Sequence, residues 1–479
     1  MSTALEAWSW PARFDESYRP AADEPYWFRR RETMPAAERE HAIVARIREV
    51  MRYAWERAPF YRRKWADAGI GPDDVRSLED FERVPVVRKE ELRRAQSEHP
   101  PFGDYLCVDE SEVQHIHGTS GTTGRPTAFG ISGDDWRVIA NEHARVMWSM
   151  GIRPRDTVFV GSFFSLYMGS WGVLIGTERL GARAFPFGAG APGQTRRAVL
   201  WLREMRPSAF YGTPSYALHL AEVARAAGID PREFGLRILF FSGEPGASIP
   251  SIRGKIERLY SGRVFDSGSM AEISPWMNLG ESAARVGMLC WQDIVHTEVC
   301  DPRTFRRVPY GGEGTPVYTT LERRSQPMIR LLSGDLTRWE AGPTPDGRTY
   351  PYLPRGIYGR IDDMFTIRGE NVYPSAIDEV VAALPGYGGE HRIVITRQEA
   401  MDELAVQIEY DEAMRAAGDA AVEALRRRAE EELRAVLGVR AHVVALAPGT
   451  LERTEFKARR VVDDRDLWHQ TRALKEERA

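Results

Sequence analysis

The amino-acid sequence predicts an α/β fold in two parts: a large N-terminal domain with mixed and parallel sheets and helices, and a small α+β C-terminal domain. Three observations predict it. Short apolar runs alternate with helical stretches between residues 157 and 266, the pattern of a largely parallel sheet covered on both faces. After about residue 311 strand-like runs crowd together. Beyond residue 390 further strands surround one charged amphipathic stretch. At 479 residues the chain exceeds one ordinary core and calls for two or three domains.

The opening of the chain is polar and aromatic and predicts an irregular arm. Over residues 40–65, Ile43, Ile47, Val50, Met51 and Ala54 recur at helical spacing. Strands follow at 157–163, 183–187, 208–212, 237–242 and 263–266, with helices at 193–205, 214–227 and 250–260. Strands at 315–320 and 328–332 suggest a more antiparallel subdomain, and the Gly- and Pro-rich stretch 342–359 predicts a linker. In the tail, strands at 391–396, 404–410 and 441–446 and a helix at 420–437 suffice for a unit of roughly 120 residues, within the usual domain range.

Hydrophobic residues make up 43% and charged residues 28%, as in soluble globular proteins. A net charge of −4 gives no reason to expect a nucleic-acid or membrane partner. Cys107, Cys290 and Cys300 are too few and too scattered for a disulfide framework, so a reducing, cytoplasmic setting is expected. With His296, the latter two do not match a zinc spacing. The first residues lack the basic start and apolar run of a signal peptide. Residues 157–177 carry no charge, but Gly161, Ser162, Ser165, Gly169, Ser170 and Gly172 interrupt them. A strand, a small-residue turn and a buried helix explain that run better than a membrane span.

The strongest chemical signal is His117-Gly118-Thr119-Ser120-Gly121-Thr122-Thr123-Gly124-Arg125-Pro126-Thr127. Glycines let a backbone turn sharply and aim its N–H groups inward, and hydroxyls add donors. Such a loop can wrap the β- and γ-phosphates of ATP. It lacks the GxxxxGK[ST] order of a Walker loop, and by composition alone a polar surface turn stays open.

The ordered Ser-Gly-Thr-Thr-Gly-x-Pro resembles the phosphate loop of the adenylate-forming superfamily of acyl- and aryl-CoA ligases. Within it the chain most resembles the phenylacetate-CoA ligase branch, on the phrases Tyr53-Ala54-Trp55-Glu56-Arg57-Ala58-Pro59-Phe60-Tyr61-Arg62, Tyr211-Gly212-Thr213-Pro214-Ser215-Tyr216 and Arg360-Ile361-Asp362-Asp363-Met364. The likeness runs from about Ala45 to Val462. It implies an N-terminal adenylation domain over 1–356, a hinge over 357–362 and a mobile C-terminal domain over 363–479.

The resemblance also implies the site. Thr119, Ser120, Gly121, Thr122, Thr123, Gly124 and Arg125 would hold the phosphates. Ser242, Gly243, Glu244 and Pro245 would lie against the adenine, beside Ser267, Gly268, Ser269 and Met270. Glu272 falls where a carboxylate helps hold Mg²⁺, a hard cation that takes oxygen ligands. Asp335 and Arg360 match contacts to the ribose. Lys457 matches the lysine that bridges the attacking carboxylate and the α-phosphate, and Asp362 matches the hinge. Residues 369–374 would line the acceptor channel. Phe163, Tyr167, Met168, Trp171, Gly172, Tyr211 and Gly212 match the aryl pocket, where aromatic and small residues suit a flat ring.

Three positions depart from the family. Gly268 replaces a tyrosine, Ala271 a Ser or Thr, and Arg125 a common lysine. Taken singly, Glu272 and Asp335 are also ordinary turn or cap residues, and Lys457 an ordinary surface lysine. Their joint order favours the site. The expectation is an ATP- and Mg²⁺-dependent ligase that activates a small aromatic acid as acyl-AMP and passes it to CoA. A carrier protein, amine or hydroxyl as acceptor stays open, as does a degenerate nucleotide binder, and a homodimer is expected from the branch.

Overall fold

A computed structural model describes residues 8–118, 127–166, 168–189, 193–268, 270–274, 276–361, 365–367, 370–398, 401–452 and 460–463. Two strands open the sheet structure, β1 (Val113–Gly118) and β2 (Ala128–Ser132), paired as an antiparallel hairpin. The main sheet holds β3 (Thr157–Val160), β4 (Arg183–Phe185), β5 (Ala209–Gly212), β6 (Ile238–Phe241) and β7 (Arg263–Asp266). Its order is β4-β3-β5-β6-β7, and every pair is parallel.

Side chains alternate across this sheet as a pleat requires. Phe159, Phe210, Leu239, Phe241 and Val264 face a core shared with the helices Gln194–Met205, Pro214–Ala226 and Pro250–Tyr260. Val158, Val160, Tyr211, Phe240 and Phe265 face the opposite core, with Ala144, Val146 and Met147 of the helix Gly133–Ser149 and Val173 of the helix Met168–Leu180. Burial on both faces explains why the strands are near-continuous apolar runs. The uncharged run 157–177 is therefore β3, a turn and the start of a helix, and among the described residues no helix is long and apolar enough to cross a membrane.

Three expectations need correction, and the fourth, the irregular arm, holds. The helix expected over 40–65 is two helices, Ala36–Arg57 and Pro59–Asp67. Pro59 pushes Ala58 into an extended conformation, as residues before proline generally are. The strand expected over 157–163 stops at Val160, although the Gly161 N–H still donates to the Tyr211 carbonyl of β5 at 2.8 Å. The arm is irregular but built into the core. Trp27 and Phe28 are buried, Glu32 Oε1 accepts both of their backbone N–H groups, and Glu32 pairs with Arg348 at 2.9 Å. The stretch 342–359 is mostly packed rather than a linker: Tyr352–Leu353 pairs with Met288–Cys290, and buried Tyr350 donates to Asp293 at 2.6 Å.

Antiparallel strands at Val295–Cys300, Glu313–Thr320, Asp335–Arg338 and Gly359–Arg360 form the second large sheet. The C-terminal unit has its own sheet, ordered Ala441–Leu446, Met401–Tyr410, Tyr387–Gln398, Val461–Asp463. The central pair is antiparallel and both outer pairs are parallel. Helices Pro374–Ala383 and Asp419–Leu437 share a separate core with it through Ile377, Val381, Leu425, Ala429 and Leu433.

Candidate active site

In an open parallel sheet, ligands bind beyond the carboxyl ends of the strands. The candidate residues collect at that edge. Phe163 follows β3, Gly212 ends β5, Ser242 follows β6 and Ser267 follows β7. The hairpin of β1 and β2 brings Gly118, which precedes the Gly- and Thr-rich segment, to the same edge. Gly118 pairs with Ala128, and its N–H donates to the Leu166 carbonyl at 3.1 Å, in the turn after β3. A Cβ on Gly118 would lie 2.8 Å from the Thr127 carbonyl oxygen, so the approach admits only glycine. The loop residues Thr119, Ser120, Gly121, Thr122, Thr123, Gly124 and Arg125 lie outside the described residues, as do Tyr167, Ser269, Asp362 and Lys457.

The turn after β6 is tied to its neighbours. The hydroxyls of Ser242 and Tyr211 meet at 2.7 Å, both buried. Gly243 has φ +89°, and the Glu244 carboxylate accepts the Ser215 N–H at 2.7 Å in the first turn of the helix Pro214–Ala226. That is a favourable place for a carboxylate, since orphan N–H groups and the helix dipole both favour negative charge. Pro245 lies on the wall of the cleft between this helix and the C-terminal unit.

After β7, the Ser267 N–H and hydroxyl both donate to the Phe241 carbonyl at 2.9 Å. Gly268 has φ +116° and donates to the Leu279 carbonyl at 2.8 Å. A tyrosine would be strained there, which gives the Gly268 departure a local reason. Met270 is buried beneath the turn. Just before it, burial pushes the Asp266 carboxyl up to about 7, opposed by a hydrogen bond from the Ser248 hydroxyl and reinforced by nearby Glu281.

Glu272 is 2% exposed. Among the described residues its carboxylate meets one cation, Lys89 Nζ at 3.5 Å, and its backbone carbonyl accepts Arg323 Nη1–H at 2.8 Å. Magnesium bound with phosphates typically takes one or two carboxylates rather than an all-protein cage. A single buried carboxylate fits that donor set. Asp335 and Arg360 are directly paired across two strands, with Arg360 Nη1 3.6 Å from Asp335 Oδ1.

The expected acid pocket is crowded by its own rings. Trp171 donates its indole N–H to the Ser165 carbonyl at 2.8 Å and meets Phe164 edge-on at 5.2 Å. It also meets His117, at 6.4 Å between ring centres, and His117 stacks in turn near Trp136. The Phe163 carbonyl accepts the Ser170 hydroxyl at 2.8 Å. Met168 and Gly172 are buried on the helix Met168–Leu180, and Gly212 admits no Cβ because the Phe210 ring would lie 2.8 Å away.

Sequence reasoning missed Lys89, Arg323 and Arg460. Arg460, three residues past Lys457, pairs with Glu390 at 2.9 Å and reaches across to the Ser215 hydroxyl of the large domain at 3.5 Å. Arg355 and Glu379 form a second cross-domain pair. Each of the three lies in a charged run that looks like a solvated face. Only tertiary structure shows where they point.

Residues 369–465 match the family of AMP-binding enzyme C-terminal domains. The phenylacetate-coenzyme A ligase of Thermus thermophilus is 34% identical over 446 residues, 90% of this chain and 98% of that protein. A crystal structure of 2-hydroxyisobutyryl-CoA ligase in its post-adenylation state, with 2-HIB-AMP, is 62% identical over 98% of this chain and 99% of that one, at a TM-score of 0.93. The same ligase with CoA in its thioesterification state, again 62% identical, superposes at only 0.75. The two domains described here are therefore arranged as in the first state.

Proposed function

The chain belongs to the adenylate-forming CoA ligases, in the phenylacetate-CoA ligase group, and joins a carboxylic acid to CoA through an acyl-AMP; from this premise we propose that its acid is a small branched 2-hydroxy acid of the 2-hydroxyisobutyrate kind. One observation carries the reading: identity to 2-hydroxyisobutyryl-CoA ligase is 62% over nearly the whole chain, against 34% to a phenylacetate-coenzyme A ligase. The crowding of Phe164, Trp171 and His117 supports it, because rings packed on one another leave a compact space. The aromatic acid expected from the sequence is the second reading, favoured by the phenylacetate-coenzyme A ligases among its relatives.

In this reading a carboxylate oxygen attacks the α-phosphorus, and the bond to pyrophosphate breaks. Both reactants are anions, so the site's work is to neutralise and to position. The loop 119–125 holds the leaving phosphates with N–H and hydroxyl donors. Asp335 and Arg360 take the ribose hydroxyls, and the turn 242–245 flanks the adenine. Glu272 is the residue that would hold Mg²⁺, which supplies positive charge at the phosphates when bound. Lys457 brings an ammonium to the carboxylate and α-phosphate. The C-terminal domain, residues 363–479, then turns about Asp362, withdraws Lys457 and admits CoA along residues 369–374. The thiol sulfur attacks the acyl carbon, AMP leaves and the thiol proton is lost.

Pyrophosphate release tests the assignment, with ATP, CoA and a panel of 2-hydroxyisobutyrate, benzoates, aminobenzoates and phenylacetate. The expected result is a kcat/KM for 2-hydroxyisobutyrate at least roughly tenfold above any aromatic acid, within the range one pocket can discriminate. A preference for an aromatic acid overturns it in favour of the second reading.

A further inference from the structure

Arg323 is 2% exposed, and among the described residues its guanidinium is in no direct ion pair. Nη1 donates to the Glu272 carbonyl at 2.8 Å, while Nε and Nη2 are buried without an acceptor. Among the described residues no carboxylate forms an ion pair with it. Asp135, the acid whose charge it feels most, gives one oxygen to the Arg324 N–H at 2.8 Å and the other to the Ser325 N–H at 2.7 Å and the Ser325 hydroxyl. Tyr61, Tyr105 and Cys107 complete its surroundings, all buried and held in their neutral forms. A buried guanidinium with idle donors is costly, and an apolar side chain of similar size usually does better.

Such a charge is intelligible where an anion arrives during the reaction. Arg323 lies directly beside Glu272. It holds the main chain of Glu272, and His117, the residue before Gly118 at the mouth of the phosphate loop, feels its field. We propose that Arg323 is a positioning residue for the adenylation half-reaction: it fixes the Glu272 backbone and supplies a permanent positive charge beside Glu272, the residue that would hold Mg²⁺. Lys89 faces the carboxylate of the same residue, so Glu272 is held between two cations, one on its backbone and one on its side chain. This assignment rests on the adenylate-forming reading of the site.

The test uses the full chain with Arg323→Met, which keeps bulk and removes charge, and Arg323→Lys, which keeps charge and one donor. Binding of ATP with and without Mg²⁺ is followed by calorimetry, beside the melting temperature and thioester formation from supplied acyl-AMP and CoA. Arg323→Met is expected to weaken Mg²⁺-dependent ATP binding at least roughly tenfold. Its melting temperature is unchanged or raised, as for buried charges replaced by apolar groups, and thioester formation changes less than about threefold. Arg323→Lys restores most of the binding. Combined with Glu272→Gln, Arg323→Met adds little further loss, because the two act on one group. Wild-type affinity in Arg323→Met overturns the proposal, as does equal loss of both half-reactions. If Arg323→Met does not fold, Arg323→Lys decides: unimpaired melting with ATP binding as weak as in Glu272→Gln places the role in the fork of donors and overturns the charge role. Failure of the unaltered protein to cleave ATP with any acid would instead sink the reading beneath it.

Discussion

The hydroxyls of Tyr211 and Ser242 meet at 2.7 Å, joining β5 to the turn after β6. The contact couples the expected acid pocket to the expected adenine turn. Tyr211→Phe removes it and leaves a buried serine hydroxyl short of one partner. A loss of about 1–2 kcal/mol in stability is expected, the usual cost of an unmade buried hydrogen bond. Thermal denaturation measures it, and steady-state kinetics should show KM for the acid rising more than KM for ATP.

Lys457→Ala should abolish acyl-AMP formation and spare thioester formation from supplied acyl-AMP, because in the proposed reading the lysine serves only the first chemistry. Assaying the two half-reactions separately checks this. Equal loss of both would count against a domain that serves two poses.

Arg460 spans the two domains, from Glu390 to Ser215. The proposed turn of the C-terminal domain would part that bridge. Arg460→Ala is expected to slow adenylation about tenfold, equivalent to about 1.4 kcal/mol of positioning, and to leave thioester formation from acyl-AMP within about twofold. Single-turnover measurements of each step separate the outcomes.

Asp266 makes stability depend on pH. Burial raises its carboxyl to about 7 in the folded protein, from 3.8 in an ordinary setting. Between these values the folded chain keeps a proton that the unfolded chain has lost. Stability from this group therefore falls as pH rises from about 4 through 7. Asp266→Asn mimics the protonated form and lacks that fall. Its melting temperature relative to the unaltered protein should climb between pH 5 and pH 8, by up to a few kcal/mol in free energy. A difference that stays flat with pH would refute the assignment.

Much of the parallel sheet is legible in the sequence because its strands are buried on both faces, so Phe159, Phe210 and Phe240 stand in unbroken apolar runs. The predicted helix 250–260 and strand 263–266 agree with Pro250–Tyr260 and Arg263–Asp266. Local rules account for the split at Pro59. Packing over long range is not legible. Nothing near Pro343 or Gly347 tells that Arg348 will be buried against Glu32, 316 positions away. The motif residues of the site stand in recognisable order because backbone turns at strand ends demand particular residues. Lys89 and Arg323 escape notice because their significance lies in what they face, and a charged run looks the same whether it points to water or to Glu272.

The buried ion pairs of the N-terminal arm set a limit on trimming this protein. Arg31 lies 3.3 Å from Glu322 and 3.6 Å from Asp293, and Glu32 answers Arg348. Shortening the polypeptide to begin after residue 35 would leave buried Glu322 without Arg31, take Glu32 from Arg348, and uncover the hollow filled by Trp27, while Asp293 would keep Arg145 and Arg348 would keep Asp346. Fusion partners and purification handles are better placed so that residues 24–35 keep their seat.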